Sequence, residues 1–182
     1  MPRRVVIDGN IVDYLYDYPG ARQAVKQATG AGQLELLVDQ IVVDQIARTR
    51  DSVRRERMLA HVAELCSYVP QGASAFGIGR FGFGPFGGAA PAQQPVVSAV
   101  RGNATNIGTV LDSIIAATAH REHAALATND ARLRARAAAE GVETLTPAQL
   151  FAEVGFDLGT AIATPMLPAV PDGHAAQRRS DR

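Results

Sequence analysis

The chain has 182 residues and a mass of 19.2 kDa, the size of one compact domain with a tail or an insertion. At 47% hydrophobic and 20% charged, the composition excludes wholesale disorder, collagen-like repeats and a coiled-coil rod. The 18 basic and 18 acidic residues cancel, which excludes a nucleic-acid binder declared by net charge alone but leaves local patches open.

Val5-Val6-Ile7 is a β-branched run that ends at Asp8, and Gly9 separates it from the helical pattern Ile11, Val12, Leu15. Pro19-Gly20 punctuates, 21–28 is helix-prone, and Gly30-Ala31-Gly32 precedes a second buried-strand run, 34–38. From Ile41 the pattern is helical again. It leads into a polar helix over 51–65 with Val53, Leu59, Val62 and Leu65 spaced for one buried face, and 66–69 reads as a short strand.

The stretch 70–99 holds seven glycines, four prolines and four of the six phenylalanines but one charge, Arg80, so it reads as a long, mobile inserted loop. Residues 77–82 match a dinucleotide-binding glycine pattern, but no strand precedes them and no helix follows, so the match carries no cofactor. Phe76, Phe81, Phe83 and Phe86 are placed to stack on unpaired bases if the loop overhangs a substrate. Next come a helix over 107–123, a strand over 124–127, a helix over 131–140 closed by Gly141, and a strand over 142–145. Thr146 caps a last helix that starts with Pro147, and 156–182 reads as a flexible tail after a domain spanning 1–155. Alternating strands and helices predict an α/β fold with a mainly parallel central sheet and helices on both faces.

In such a sheet the residues just past the carboxyl ends of the strands share one edge, where ligands bind. Asp8 and Asp130 each follow a strand directly, and Asp44 and Asp112 lie early in helices that open on that edge. Any one of them alone is explained by an ordinary helix cap. Gathered together, carboxylates repel one another and call for a hard cation, Mg²⁺ or Mn²⁺, which can activate water for attack on a phosphodiester. Arg48, Arg50, Arg54, Arg55 and Arg57 crowd the polar helix beside this edge, either as a solvated face paired with Asp51 and Glu56 or as contacts to an RNA backbone. His120 and His123, one turn apart, fall at the far end of the Asp112 helix, where a protonated histidine is favoured without any metal.

Three segments, 6–10 (Val-Ile-Asp-Gly-Asn), 111–119 (Leu-Asp-Ser-Ile-Ile-Ala-Ala-Thr-Ala) and 126–133 (Leu-Ala-Thr-Asn-Asp-Ala-Arg-Leu), resemble the signature segments of PIN-domain ribonucleases, which include the toxins of many bacterial toxin–antitoxin pairs. The resemblance runs over 3–154 and implies a three-layer α/β/α fold and a Mg²⁺- or Mn²⁺-dependent endoribonuclease. It maps metal-binding acids onto Asp8, Asp112 and Asp130, with Asn10, Thr128 and Asn129 orienting them or the substrate. The implied partners are an RNA substrate, an antitoxin protein and a second copy of the chain in a homodimer, with no membrane. Two positions depart from the family pattern. Gly9 stands where a small hydroxyl residue is usual, and Gln45 aligns with a glutamate, so that Asp44, about 100° away round the helix, is the alternative fourth acid. Asn10 occupies the position where a phosphatase of the haloacid-dehalogenase type would carry its second acid, which disfavours that class. A degenerate PIN domain that binds RNA or a protein without cutting is the non-enzymatic alternative. Cys66, the sole cysteine, excludes an internal disulfide and fits a reducing compartment. With no signal-peptide core and no membrane-spanning run, a cytoplasmic location is expected.

Overall fold

The computed structural model describes residues 1–73, 91–103 and 106–163. Five strands, β1 (Arg3–Ile7), β2 (Leu34–Val38), β3 (Cys66–Tyr68), β4 (Ala125–Ala127) and β5 (Thr144–Leu145), form one sheet in the order β3-β2-β1-β4-β5. Every pairing is parallel. β1 is central and its Val5, Val6 and Ile7 are fully buried, as a strand covered on both faces requires. The chain fills β1 to β3 on one side and then returns to add β4 and β5 on the other. The order therefore reverses between β1 and β4, and in open α/β sheets ligands bind at such a point, at the carboxyl ends of the strands.

Nine helices flank the sheet among the described residues: α1 (Gly9–Asp17), α2 (Pro19–Gly30), α3 (Gln40–Ala47), α4 (Ser52–Leu65), α5 (Gln94–Arg101), α6 (Ile107–Arg121), α7 (Ala131–Ala139), α8 (Pro147–Glu153) and α9 (Leu158–Ala163). α6 packs on β1 and β4 and is covered by α5, so its residues from Ser113 to Ala119 are all buried. Its small residues Ala116, Ala117 and Ala119 permit that close approach. Gly141, at φ 80°, closes α7 in the left-handed conformation that glycine adopts without cost. α8 starts on a full capping box, in which Thr146 accepts from the Gln149 amide and the Gln149 side chain accepts in return from Thr146. Among the described residues, no helix is long and apolar enough to cross a membrane.

Several expectations need correction. Gly9 does not break the chain but is the first residue of α1, because Asp8 caps that helix. Val53 is 55% exposed, and Met58 takes its place on the buried face of α4 with Val62 and Leu65. The inserted stretch is not all loop. Gln71, Gly72 and Ala73 are buried, and α5 begins within it, with Pro95 in the first turn, where its missing N–H costs nothing. The fold also continues past residue 155: Phe156 packs edge-on against Phe151 with ring centroids 6.2 Å apart, and Leu158 of α9 is buried. The glycine pattern at 77–82 and the four phenylalanines of the insertion lie outside the described residues, as does the tail from 164.

Candidate active site

Asp8 leaves β1 at the reversal point, 8% exposed. Its Oδ1 accepts from the Gly9 amide at 2.5 Å, and its Oδ2 accepts from Asn10 Nδ2 and Thr128 Oγ1, each at 2.7 Å. Asn10 is fixed in turn, because its Oδ1 accepts from the Asn129 amide at 3.0 Å. The end of β1 and the end of β4 are thus laced together by Asp8, Asn10, Thr128 and Asn129. Thr128 also accepts from the Asp130 amide at 3.1 Å. Asp130 caps α7, its Oδ1 accepting from the Arg132 and Leu133 amides at 2.7 and 3.0 Å, an arrangement worth about 1 kcal/mol to the helix.

Asp112 lies in the second turn of α6, half-buried. Burial, then the charges of Asp8 and Asp130, push its carboxyl up to about 6, with the Arg136 guanidinium opposing them. Burial also raises the Asp8 carboxyl, the Asp130 charge adds to that, and the hydrogen bonds from Thr128, Gly9 and Asn10 work against it. All three pairs among Asp8, Asp112 and Asp130 therefore lie near enough to feel one another's charge. Among the described residues, no group of three or more His, Cys, Asp or Glu side chains is placed to hold a metal ion.

Asp39, which the sequence reading passed over, occupies the end of β2 as Asp8 occupies the end of β1. It is completely buried. Its Oδ1 caps α3, accepting from the Ile41 and Val42 amides, and its Oδ2 accepts from Thr118 Oγ1 of α6 at 2.9 Å. Burial raises its pKa, these hydrogen bonds oppose the rise, and the charge of Asp8 adds to it. Thr118 also accepts from the Gly72 amide at 2.8 Å. The chain there presses so closely on α6 that a Cβ on Gly72 would overlap the Ala117 carbonyl group. Asp39 thus ties β2, α3, α6 and the segment after β3 together. The signal for it was available: an acid directly after a buried strand, in the same position as Asp8.

Asp44 stands a full turn into α3, where its Oδ1 accepts from Gln40 Nε2 at 2.8 Å. Gln45 reaches the Asp8 corner, because its Oε1 lies 2.9 Å from where a Cβ on Gly9 would be. The departures at positions 9 and 45 therefore meet in space. Of the arginines suggested as RNA contacts, Arg54 is already engaged. Its guanidinium donates to Asp13 and Asp17 of α1 and covers the Tyr16 ring at 4.4 Å. Arg55 donates to the Thr49 carbonyl at 3.0 Å, whereas Arg48 and Arg50 are exposed at the turn between α3 and α4. α7 carries three further arginines, of which Arg132 is exposed two residues after Asp130. Arg134 donates to the Thr128 carbonyl at 2.7 Å, and Arg136 to the Val100 carbonyl at 2.8 Å.

No family model and no curated protein matches the chain. Among solved structures, it matches a chain of the crystal structure of VapBC2 from Rickettsia felis bound to a DNA fragment from their promoter. The TM-score is 0.50 and the identity 11%, covering 79% of this chain and 98% of that one. The fold is PIN-like. At that identity the likeness bears on architecture, so the chemistry of this PIN-like domain must be argued from its own side chains. Within the PIN-like frame, the ends of β1 and β4 and the second turn of α6 bring Asp8, Asp130 and Asp112 within electrostatic reach of one another.

Proposed function

We propose that the protein is a Mg²⁺- or Mn²⁺-dependent endoribonuclease of PIN type, with Asp8, Asp112 and Asp130 as its metal-holding acids. The observation that carries this reading is the gathering of these three carboxylates, from three separate segments, within reach of one another's charge at the reversal point of the sheet. Their chemistry suits a hard cation, since the donors are carboxylate oxygens with no thiolate or imidazole among them. When bound, such an ion supplies an activated water and neutralises charge on a phosphodiester.

The chain's own groups then have separable tasks. Asp8 is held rigid by Gly9, Asn10 and Thr128, so it meets a cation in a preset orientation. Asp130 spends Oδ1 on the cap of α7. Gln45, beside Gly9, is a neutral polar group positioned to orient water or a substrate hydroxyl. Asp44 is the alternative for that fourth place, and Arg48 and Arg50 are the exposed cations on that flank. The likeness to VapBC2 supports an antitoxin-type protein as partner, and a homodimer is a further expectation. A second reading, a PIN-like domain that binds RNA or a protein without cutting, draws on Gln45, which brings no negative charge.

The test is cleavage of labelled single-stranded RNA with Mg²⁺, with Mn²⁺ and with EDTA, by wild type and by Asp112→Asn. Cleavage that needs the ion and is nearly abolished in a folded variant is the expected result. Retained RNA binding without cleavage in wild type would favour the second reading.

A further inference from the structure

A pocket with three mutually repelling carboxylates also repels a polyanionic strand, so a substrate needs cations at the rim. On the flank of α3 and α4, Arg48 and Arg50 are exposed. Arg54 is committed to Asp13, Asp17 and the face of Tyr16, and Arg55 holds the Thr49 carbonyl. On α7, Arg134 turns back onto the Thr128 carbonyl, where it supports the loop that carries Asn129 and Asp130. Arg136 differs from these. It is exposed, and one Nη donates to the Val100 carbonyl at the end of α5, the helix that packs on α6. A single carbonyl occupies one of the five N–H donors of a guanidinium. The group is therefore pinned at the junction of α5 and α7, near enough for its charge to be felt at Asp112.

We propose that Arg136 contacts a phosphate of the bound RNA strand, which enters the acidic pocket from the side of α5 and α7. The planar fork of a guanidinium matches two phosphate oxygens, and its anchored base lowers the entropy lost on binding. In the free protein the same charge partly offsets the acids. This inference rests on the ribonuclease reading for its substrate, but it can fail separately from it. A purely structural Arg136 would tie α7 to α5 and do nothing more.

The experiment measures binding of a fluorescein-labelled single-stranded oligouridine in EDTA, from about 50 to about 300 mM KCl, alongside Mn²⁺-dependent cleavage. The proteins are wild type, Arg136→Gln, Arg136→Lys and, as a distant control, Lys26→Gln on α2. Loss of one phosphate contact should flatten the slope of log affinity against log salt by about 0.7. Arg136→Gln should bind about tenfold more weakly at low salt and show a raised KM with kcat nearly unchanged. Arg136→Lys should keep most of the slope, and Lys26→Gln all of it. Thermal melts report any loss of the tie between α5 and α7, and Arg136→Lys, which keeps the charge, separates that loss from loss of the phosphate contact. A wild-type slope and KM in Arg136→Gln would overturn the proposal. Absence of cleavage in wild type with an Arg136-dependent slope would remove the enzyme reading and leave the contact standing. No binding by wild type at low salt would overturn both.

Discussion

Replacing Asp112 by Asn keeps the shape of the side chain and removes one of three charges that repel one another. The carboxyl is pushed from its ordinary 3.8 up to about 6, by burial first and then by Asp8 and Asp130, against the opposing Arg136. A raised carboxyl pKa means that the folded state holds the proton more tightly than the unfolded chain. This group's contribution to stability therefore falls as pH rises from about 4 through about 6, and stays low above that. At about 1.4 kcal/mol per pH unit, the rise from 3.8 to about 6 corresponds to about 3 kcal/mol. Asp112 is only half-buried, and solvent screening reduces this to about 1 kcal/mol. Urea unfolding in EDTA at pH 8 should thus find Asp112→Asn about 1 kcal/mol more stable than wild type, or about 2–4 °C higher in Tm. At pH 4 the two should coincide. A variant no more stable than wild type at pH 8 would refute the repulsion on which the pocket is argued.

Thr118→Val removes both the donor to Asp39 Oδ2 and the acceptor of the Gly72 amide inside the protein. It should cost about 2–3 kcal/mol by urea unfolding, and a loss under about 0.5 kcal/mol would contradict the tie. Gly72→Ala drives a methyl group into the backbone of α6 at Ala117, which cannot swing aside, and should lower stability by more than about 2 kcal/mol. A near-wild-type Tm would show that the segment after β3 does not press on α6. Arg54→Ala should cost no more than about 1 kcal/mol and leave the KM for RNA unchanged, because its partners lie on α1. A raised KM would return Arg54 to the substrate path.

Much of the fold was legible because buried strands and capped helices leave local marks. Leu34–Val38 is the strand that its apolar run predicts, and Thr146-Pro147 opens α8 as its capping chemistry requires. What escaped is non-local. α5 hides in a stretch whose glycines and prolines dominate any window, and its Val96 and Val100 gain meaning only against the faces of α6 and α7. α9 is short, and its anchor, Leu158, is one residue at the start of an apparent tail. In the pocket, Asp8 and Asp130 stand at strand ends and were legible as candidates. Asp39 carries the same mark but reads as a plain cap until Thr118, 79 positions away, closes on its second oxygen. Arg136 shows no pattern along the chain, and only the packing of α7 beside α5 brings it near Asp112.

The central claim, that Asp8, Asp112 and Asp130 form a divalent-cation site, is tested most directly by Mn²⁺ binding, read from the loss of the free-ion electron paramagnetic resonance signal. The account predicts binding by wild type that weakens at least about tenfold in each of Asp8→Asn, Asp112→Asn and Asp130→Asn while all remain folded. Absence of binding by wild type, or undiminished binding by any of these variants, would contradict it.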